Sequence, residues 1–372
     1  MAANDSQLIY RIAFALLRGM GVELAGKILD VLPDEKTFFD LSERELSEIA
    51  GRHHITERTY RNECLLKAEH ELEFIERYGI QVLYFSDSNF PQRLLQGAAD
   101  APILLYCLGN GHFSSKHVVS IVGTRRATEY GRNFVDRLVH DLGEMLPDVV
   151  TVSGLAYGTD IAAPRASLKH GVPTIGVQAC GLNKIYPASH RADASAIVEQ
   201  GGAIVSDYTS QDPVHKGNFV ARNRIIAALS DCTVVVESAD KGGSLITANI
   251  AQSYNREVMA LPGRTSDQFS QGCNHLIQRM QAHMIQNADD LLQVMNWESV
   301  KTNKPTTQLE LFPKLSDEES KIVQLVQQKG DIYINTLTEQ LDIPIYKVVS
   351  IVNTLCFRGI LIYKPGGRYS LA

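Results

Sequence analysis

The residues best suited to chemistry lie in a few short stretches. PVHKGNFVARNRIIAALS carries Lys216, Arg222 and Arg224 around Phe219 and Asn223, with no acid from Val214 to Ser230. Cations at that spacing neutralise phosphates while a ring stacks on an unpaired base, a combination suited to a single strand whose bases splay freely. The same residues also admit a structural reading, with Phe219 in the core and Arg222 or Arg224 bracing the sheet edge. IVGTRRATEYGRNF places Gly123, Thr124 and Arg125 at the end of an apolar run. Gly123 lets the backbone turn sharply, so that free amides of the turn and of the following helix would meet an anion. Arg125 or Arg126 would add a bidentate contact. SADKGGSLITANIAQ opens a further helix through Gly242, Gly243 and Ser244, a second N-terminus of phosphate size.

No stretch offers a clear catalytic or metal-binding group. In SGLAYGTDIAA, Gly154 and Gly158 precede Asp160, which is expected as a helix N-cap and has no second acid beside it in sequence. The six cysteines (Cys64, Cys107, Cys180, Cys232, Cys273, Cys356) stand singly, without zinc-site spacing, and read as reduced, mostly buried thiols. A GxGxxG fingerprint is absent, which disfavours a nicotinamide cofactor. Neither a metal nor a cofactor is expected.

These loops need a scaffold that points them to one place. HVVSIVG, VVTVSG, TIGVQA, AIVSD, CTVVVES and EVMALPG are short, nearly continuous apolar runs separated by helical patterns. Such runs are buried parallel strands of a doubly wound, mostly parallel α/β sheet, an extended Rossmann-like fold over 79–298, with ligands at the strands' carboxyl ends. Residues 1–78 read as a helical domain. Within it LLRGMGVELAGKIL places Gly19 and Gly21 as in a helix-hairpin-helix (SAM-like) module or as a plain tight turn between helices. Residues 299–315 are polar, carry Pro305 and Pro313, and read as a linker. Residues 316–372 read as three helices, the first capped by Ser316, and a hairpin around Gly366 and Gly367: a winged helix. Its recognition helix offers only Lys347 and Arg358, so partner docking is as plausible there as DNA contact.

Composition bounds the function. The 372 residues are 44% hydrophobic and 21% charged, as in a globular protein of two or three domains. No apolar run is long enough for a membrane span and the N-terminus does not read as a signal peptide, so a cytoplasmic protein without membrane contact is expected. The net charge of −6 argues against coating a polyanion by bulk electrostatics; any such site must be local.

Taken in order, IVGTRRATEYG, SGLAYGTDIAA, the Ile185–Pro187 triplet IYP, ARNRIIAALS, GGSLITA, and LPG with QGCNHLI resemble the signature loops of the DNA-processing protein A (DprA/Smf) family. The resemblance covers about Tyr84 to Ile285, more loosely the helical front and tail. It implies a homodimer that binds and protects incoming single-stranded DNA in natural transformation and recombination, without strong sequence preference or catalysis, and loads the RecA recombinase. It puts the family's phosphate-binding glycine, hydroxyl and arginine on Gly123, Thr124 and Arg125. Its basic and aromatic loop falls on Lys216 and Phe219, with Arg222, Asn223 and Arg224 beside them; Gly243 and Ser244 supply the further phosphate-sized helix start. One departure stands out: where the family has AHRxAL, this chain has Ala163-Pro164-Arg165-Ala166-Ser167-Leu168, with the proline expected near a helix start. The GGSLITA loop also resembles that of Rossmann-like nucleotide phosphoribohydrolases, but Ala248 to Ala251 supply no glutamate after it.

Overall fold

The structure is a computed structural model that describes residues 3–51, 54–98, 100–300, 315–364 and 367–371. The described residues up to 300 form one compact unit and those from 315 form a second. The stretch expected as a linker falls almost wholly outside the described residues, as does Gly366.

The chain opens with five helices, α1 (Ala3–Leu16), α2 (Val22–Leu29), α3 (Glu35–Asp40), α4 (Glu43–Ala50) and α5 (Arg58–Tyr78). Gly19, at φ +86°, turns the chain between α1 and α2, where an L side chain would be strained. The Tyr60 hydroxyl accepts the Arg18 amide at 2.9 Å, so this amide of the hairpin is already bonded inside the protein. The helices do not bury their apolar faces among themselves alone. Phe14, Phe38, Leu46 and Leu72 share one cluster with Tyr84, Leu104 and Tyr106 of the first two strands. Glu71 of α5 accepts both the amide and the hydroxyl of Ser210 in the sheet's loops.

Those strands, β1 (Gln81–Tyr84) and β2 (Leu104–Gly109), precede the six apolar runs. The runs become β3 (His117–Val122), β4 (Val149–Ser153), β5 (Thr174–Val177), β6 (Ala203–Ser206), β7 (Cys232–Val235) and β8 (Glu257–Ala260); β9 (His283–Met284) follows. The sheet order is β1-β2-β6-β5-β4-β3-β7-β8-β9. β3 to β9 pair in parallel with one another, and β2 pairs antiparallel with both neighbours. The α/β fold with its mostly parallel central sheet is therefore as expected, with an antiparallel edge added.

Alternate residues of each strand feed two buried layers, as the pleat requires. Val118 and Val122 of β3 face a cluster completed by α10 (Lys216–Leu229) and α11 (Gly243–Ser253). Val119 and Ile121 face the other, completed by α7 (Glu129–Met145) and α8 (Thr159–His170); α6 (Gln92–Leu95) and α12 (Gln271–Gln278) add to the first layer, α13 (Ala288–Met295) to the second, and α9 (Arg191–Glu199) packs with Ile204 of β6. Hydroxyls within the sheet satisfy each other: Ser120 donates to Thr233 at 2.8 Å. From β3 the chain adds β4, β5 and β6 on one side and later β7, β8 and β9 on the other. The loops after adjacent β3 and β7 thus diverge, leaving a crevice at their carboxyl ends.

The second unit comprises α14 (Asp317–Lys329), α15 (Ile334–Leu341), α16 (Ile345–Phe357) and an antiparallel sheet of order β10-β12-β11, with β10 (Ile332–Tyr333), β11 (Leu361–Lys364) and β12 (Arg368–Leu371). Ser316 and Glu319 form a reciprocal capping box at the start of α14. No described helix is long and apolar enough to cross a membrane.

Candidate functional site

A cleft of about 530 Å³ opens at the crevice between β3 and β7. Its walls come from five separate segments: Gly123 to Arg126 after β3, Ala156 and Asp160 after β4, one face of α10, the turn from Ser238 to Ser244 after β7, and Gln268 with Phe269 after β8. Of the ten residues expected to contact DNA, eight meet there: Gly123, Thr124, Arg125, Phe219, Arg222, Asn223, Gly243 and Ser244. Lys216 does not line the cleft; it is the exposed first residue of α10. Arg224 is turned away, its guanidinium paired with the Asp207 carboxylate at 2.5 Å.

Close backbone approaches hold the loops together. A Cβ on Gly158, at φ +79°, would stand 2.1 Å from the Thr124 carbonyl oxygen, so only glycine lets the two loops touch. A Cβ on Gly123 would lie 2.4 Å from the Thr159 hydroxyl. The Thr159 amide donates to the Thr124 carbonyl at 3.1 Å and the Thr124 amide to the Glu237 carbonyl at 2.6 Å.

These bonds change the expected anion chemistry. The turn after β3 was expected to present free amides, yet the Thr124 amide is used by Glu237 and the Arg126 amide by the Thr124 hydroxyl. The helix that follows is no better placed. Thr128 caps α7, and the buried Glu237 carboxylate accepts the Thr128 amide and hydroxyl at 2.8 and 2.6 Å. A carboxylate therefore already occupies that helix start. What the turn offers is side chains: Arg125 and Arg126 are exposed, and neither forms an ion pair among the described residues, although the charge of Arg125 reaches Asp160. Across the cleft, α11 begins at Gly243 with no side chain capping it; the Leu245 amide donates to the Gly242 carbonyl at 3.1 Å, which leaves the amides of Gly243 and Ser244 as the start's open donors.

Arg222 and Asp160 form the floor. Arg222 is buried, and its Nη1 donates to the carbonyl oxygens of Gly154 and Val177. A Cβ on Gly154 would meet both Arg222 Nη1 and Asp160 Oδ2 at 2.5 Å, so glycine is needed for the two side chains to approach. Asp160 is the second residue of α8 rather than its N-cap, a position taken by Gly158. Burial pushes the Asp160 carboxyl above its ordinary range, while Arg222 and the amides of Gly123 and Ala156 pull it partly back. The arginine thus acts as the brace that its spacing had left open, with Asp160 as its counter-charge.

Pro164 falls in the second turn of α8, not at its start. It removes the amide that would bond the Asp160 carbonyl, and the helix nevertheless continues to His170.

Phe219 is partly buried and meets the exposed ring of Tyr186 at 5.1 Å and 57°. Tyr186 carries part of this platform, and its place in IYP gave no sign of it because β5 and α10 are far apart in sequence. Gln268 and Phe269 were missed for the same reason; their loop reaches the cleft through the Ser238 amide, which donates to the Phe269 carbonyl at 2.6 Å. Ser244 donates to the Ser238 hydroxyl at 2.8 Å and is buried, so its side chain shapes the turn.

Among the described residues, no group of His, Cys, Asp or Glu is arranged to hold a metal. In the second unit, Lys347 is paired with Glu318 at 2.5 Å and Arg358 with Glu319 at 2.7 Å. Lys347 of the third helix and Arg358 at its C-cap are therefore already paired with acids of the first.

The DNA recombination-mediator protein A family model matches residues 81–296. The chain is 36% identical over 193 residues to DNA processing protein DprA of Streptococcus pneumoniae, covering 52% of this chain and 67% of that protein. It is 31% identical over 288 residues to protein Smf of Escherichia coli, covering 77% and 76% of the two chains. The solved structure of DNA processing protein A from Streptococcus pneumoniae superposes with a TM-score of 0.63 at 29% identity, over 77% of this chain and 97% of that one. That of the Helicobacter pylori protein, described for its single-stranded DNA binding mode, gives 0.52 at 32% identity over 59% and 96%.

Proposed function

Because the chain belongs to the DNA recombination-mediator protein A family, we propose that it is a cytoplasmic protein that captures single-stranded DNA in this cleft, protects it during transformation and recombination, and passes it to the RecA recombinase as a homodimer. The observation that carries the reading is the pairing of two exposed arginines that form no ion pair among the described residues, Arg125 and Arg126, with the Phe219–Tyr186 platform at the mouth of a parallel sheet. Arginine forks suit phosphates, and rings accept any unpaired base, so the strand is held without strong sequence preference. The uncapped start of α11 at Gly243 and Ser244 adds main-chain amides, and Lys216 at the rim adds a more diffuse charge. The single-stranded DNA mode described for the Helicobacter pylori relative supports the same ligand class.

The role is binding rather than catalysis. Asp160 is the one carboxylate on the cleft wall, and it is engaged by Arg222 and two amides. Nucleotide hydrolysis of the phosphoribohydrolase kind would call for a further acid beside GGSLITA, where Asn249 and Gln252 stand instead. The helical front would act as a helix-hairpin-helix module and the second unit as a winged helix serving partner docking, since Lys347 and Arg358 are paired internally.

The test is titration of the full chain with labelled oligothymidylate. Arg125→Ala weakens binding by about 1–3 kcal/mol, the scale of a charge-assisted bond. Lys216→Ala, at the rim, acts mainly on the salt dependence, lowering its slope by roughly 0.7. Unchanged affinity in a folded Arg125→Ala variant overturns the assignment.

A further inference from the structure

Next to the cleft lies a second concavity, a groove of about 670 Å³ between α7 and α8. The two share Arg125 and Arg126, so they are continuous across that turn. Arg132 and Asp136, one helical turn apart on α7, face Arg165 and Lys169, equally spaced on α8. Five cations and one carboxylate line the groove, in a chain with more acids than bases overall. That carboxylate, Asp136, is matched by Lys169 at 2.9 Å and His170 at 3.1 Å. Arg165 is held by Asp193 at 2.7 Å. Arg125, Arg126 and Arg132 have no carboxylate partner among the described residues, and Arg132 instead donates to the Ala127 carbonyl at the end of their loop.

An aromatic side chain stands in the same groove. Tyr157 is 52% exposed yet fixed at two points: its ring meets His190 edge-on at 5.0 Å and its hydroxyl lies 3.3 Å from the Ser189 hydroxyl. His190 is itself buried and set by its Nδ1 against the Leu155 carbonyl at 2.8 Å. Leu155, two residues before Tyr157, has φ +55°, a left-handed conformation that L side chains rarely adopt. Backbone strain of this kind persists where surrounding structure holds it. A rigid, half-exposed ring beside unpaired arginines repeats the chemistry of Phe219 with Arg125.

We propose that this groove is a second nucleotide subsite, in which the single strand leaving the cleft crosses Arg126, sets a phosphate on Arg132 and stacks a base on Tyr157. The inference rests on the cleft being the primary single-strand site. It also assigns Arg165 a positioning part, since its ion pair with Asp193 ties α8 to the helix Arg191–Glu199 on the groove's flank.

Anisotropy titrations of the full chain with oligothymidylates of about six and about twenty nucleotides, lengths chosen to fill one site or to span both, decide the matter. Arg132→Ala/Tyr157→Ala is expected to weaken the longer oligonucleotide about tenfold and to leave the shorter within about twofold, while Tyr157→Phe keeps the parent affinity for both because stacking needs only the ring. Arg125→Ala weakens both. The short oligonucleotide also reports that the Arg125 loop is intact in the double variant. If the double variant binds the longer strand like the parent while Arg125→Ala does not, the groove is no subsite and the cleft stands. If Arg125→Ala changes neither length, the cleft assignment itself fails.

Discussion

Arg222→Ala separates a ligand from a brace. The side chain lies 3% exposed under the cleft, donates to two carbonyl oxygens and faces the Asp160 carboxyl. Truncation leaves both carbonyls short of a donor and removes the cation that faces the partly buried Asp160. Hydrogen bonds to a charged group contribute about 1.5–3 kcal/mol each, and the Coulombic attraction between Arg222 and the partly exposed Asp160 adds a smaller, partly screened share. These overlap, so a net loss of about 4 kcal/mol is expected, a large part of the roughly 5–15 kcal/mol that holds a domain folded. The second variant tests the cause. Arg222→Ala/Asp160→Asn removes the stranded charge and should recover about 1–3 kcal/mol, the coupling typical of contacting groups.

The pH dependence has a defined sign. Burial raises the native Asp160 carboxyl above its ordinary value, and Arg222 opposes this. Between the unfolded value, near ~4, and the raised native one, the folded chain holds the proton more tightly, so stability falls as pH rises. Without Arg222 that interval lengthens. The deficit of Arg222→Ala therefore grows from mildly acidic to neutral pH, and in the double variant this growth is absent. Urea unfolding followed through Trp297 reads the right unit, because this single tryptophan packs on His117 of β3 with ring centroids 4.6 Å apart. An Arg222→Ala protein that unfolds within about 0.5 kcal/mol of the parent, yet loses oligothymidylate binding, would make Arg222 a ligand and refute the brace.

Phe219→Ala should weaken oligothymidylate binding by about 1–3 kcal/mol with little change in the urea midpoint, whereas Phe219→Tyr should bind nearly as the parent does; fluorescence titration checks both. Gly123→Ala places a methyl 2.4 Å from the Thr159 hydroxyl and 3.0 Å from the Glu237 carbonyl oxygen, so it should destabilise by about 1–3 kcal/mol, the scale of overpacking, and weaken binding through the displaced Arg125, seen in paired urea and titration curves.

The central sheet was legible because a strand buried on both faces has almost no freedom of composition: HVVSIV and CTVVV are near-continuous apolar runs and little else accommodates them. β1 and β2 were not legible, since QVLY and LLYCLG sit at an antiparallel edge whose other side is completed by α1 to α5. That burial depends on partners distant in sequence, and no local period records it. The same distinction runs through the cleft. Its glycines and its arginines are visible as residue types, but whether an amide or a guanidinium is free depends on what the fold brings beside it. Glu237 takes the Thr124 amide through its carbonyl, and its carboxylate occupies the start of α7; Asp207 takes Arg224. Neither acid lies within the motif it modifies.

The acids are thus part of how an acidic chain confines its attraction for a polyanion. Arg224, Arg165 and Lys169 each carry a carboxylate partner, Arg222 faces Asp160, and in the second unit Lys347 and Arg358 do likewise. A paired cation contributes little to a phosphate, because the strand must displace the carboxylate to reach it. Arg125, Arg126 and Arg132 escape this matching, and all three lie on one continuous concave surface. A net charge of −6 gives the chain no overall attraction for nucleic acid, and at physiological salt the net repulsion is screened beyond about 8 Å while contacts at the arginines persist. On this concave surface the attraction rests on the cations that form no ion pair, so a carboxylate placed next to Arg125 should weaken binding about as much as removing the arginine does, by about 1–3 kcal/mol.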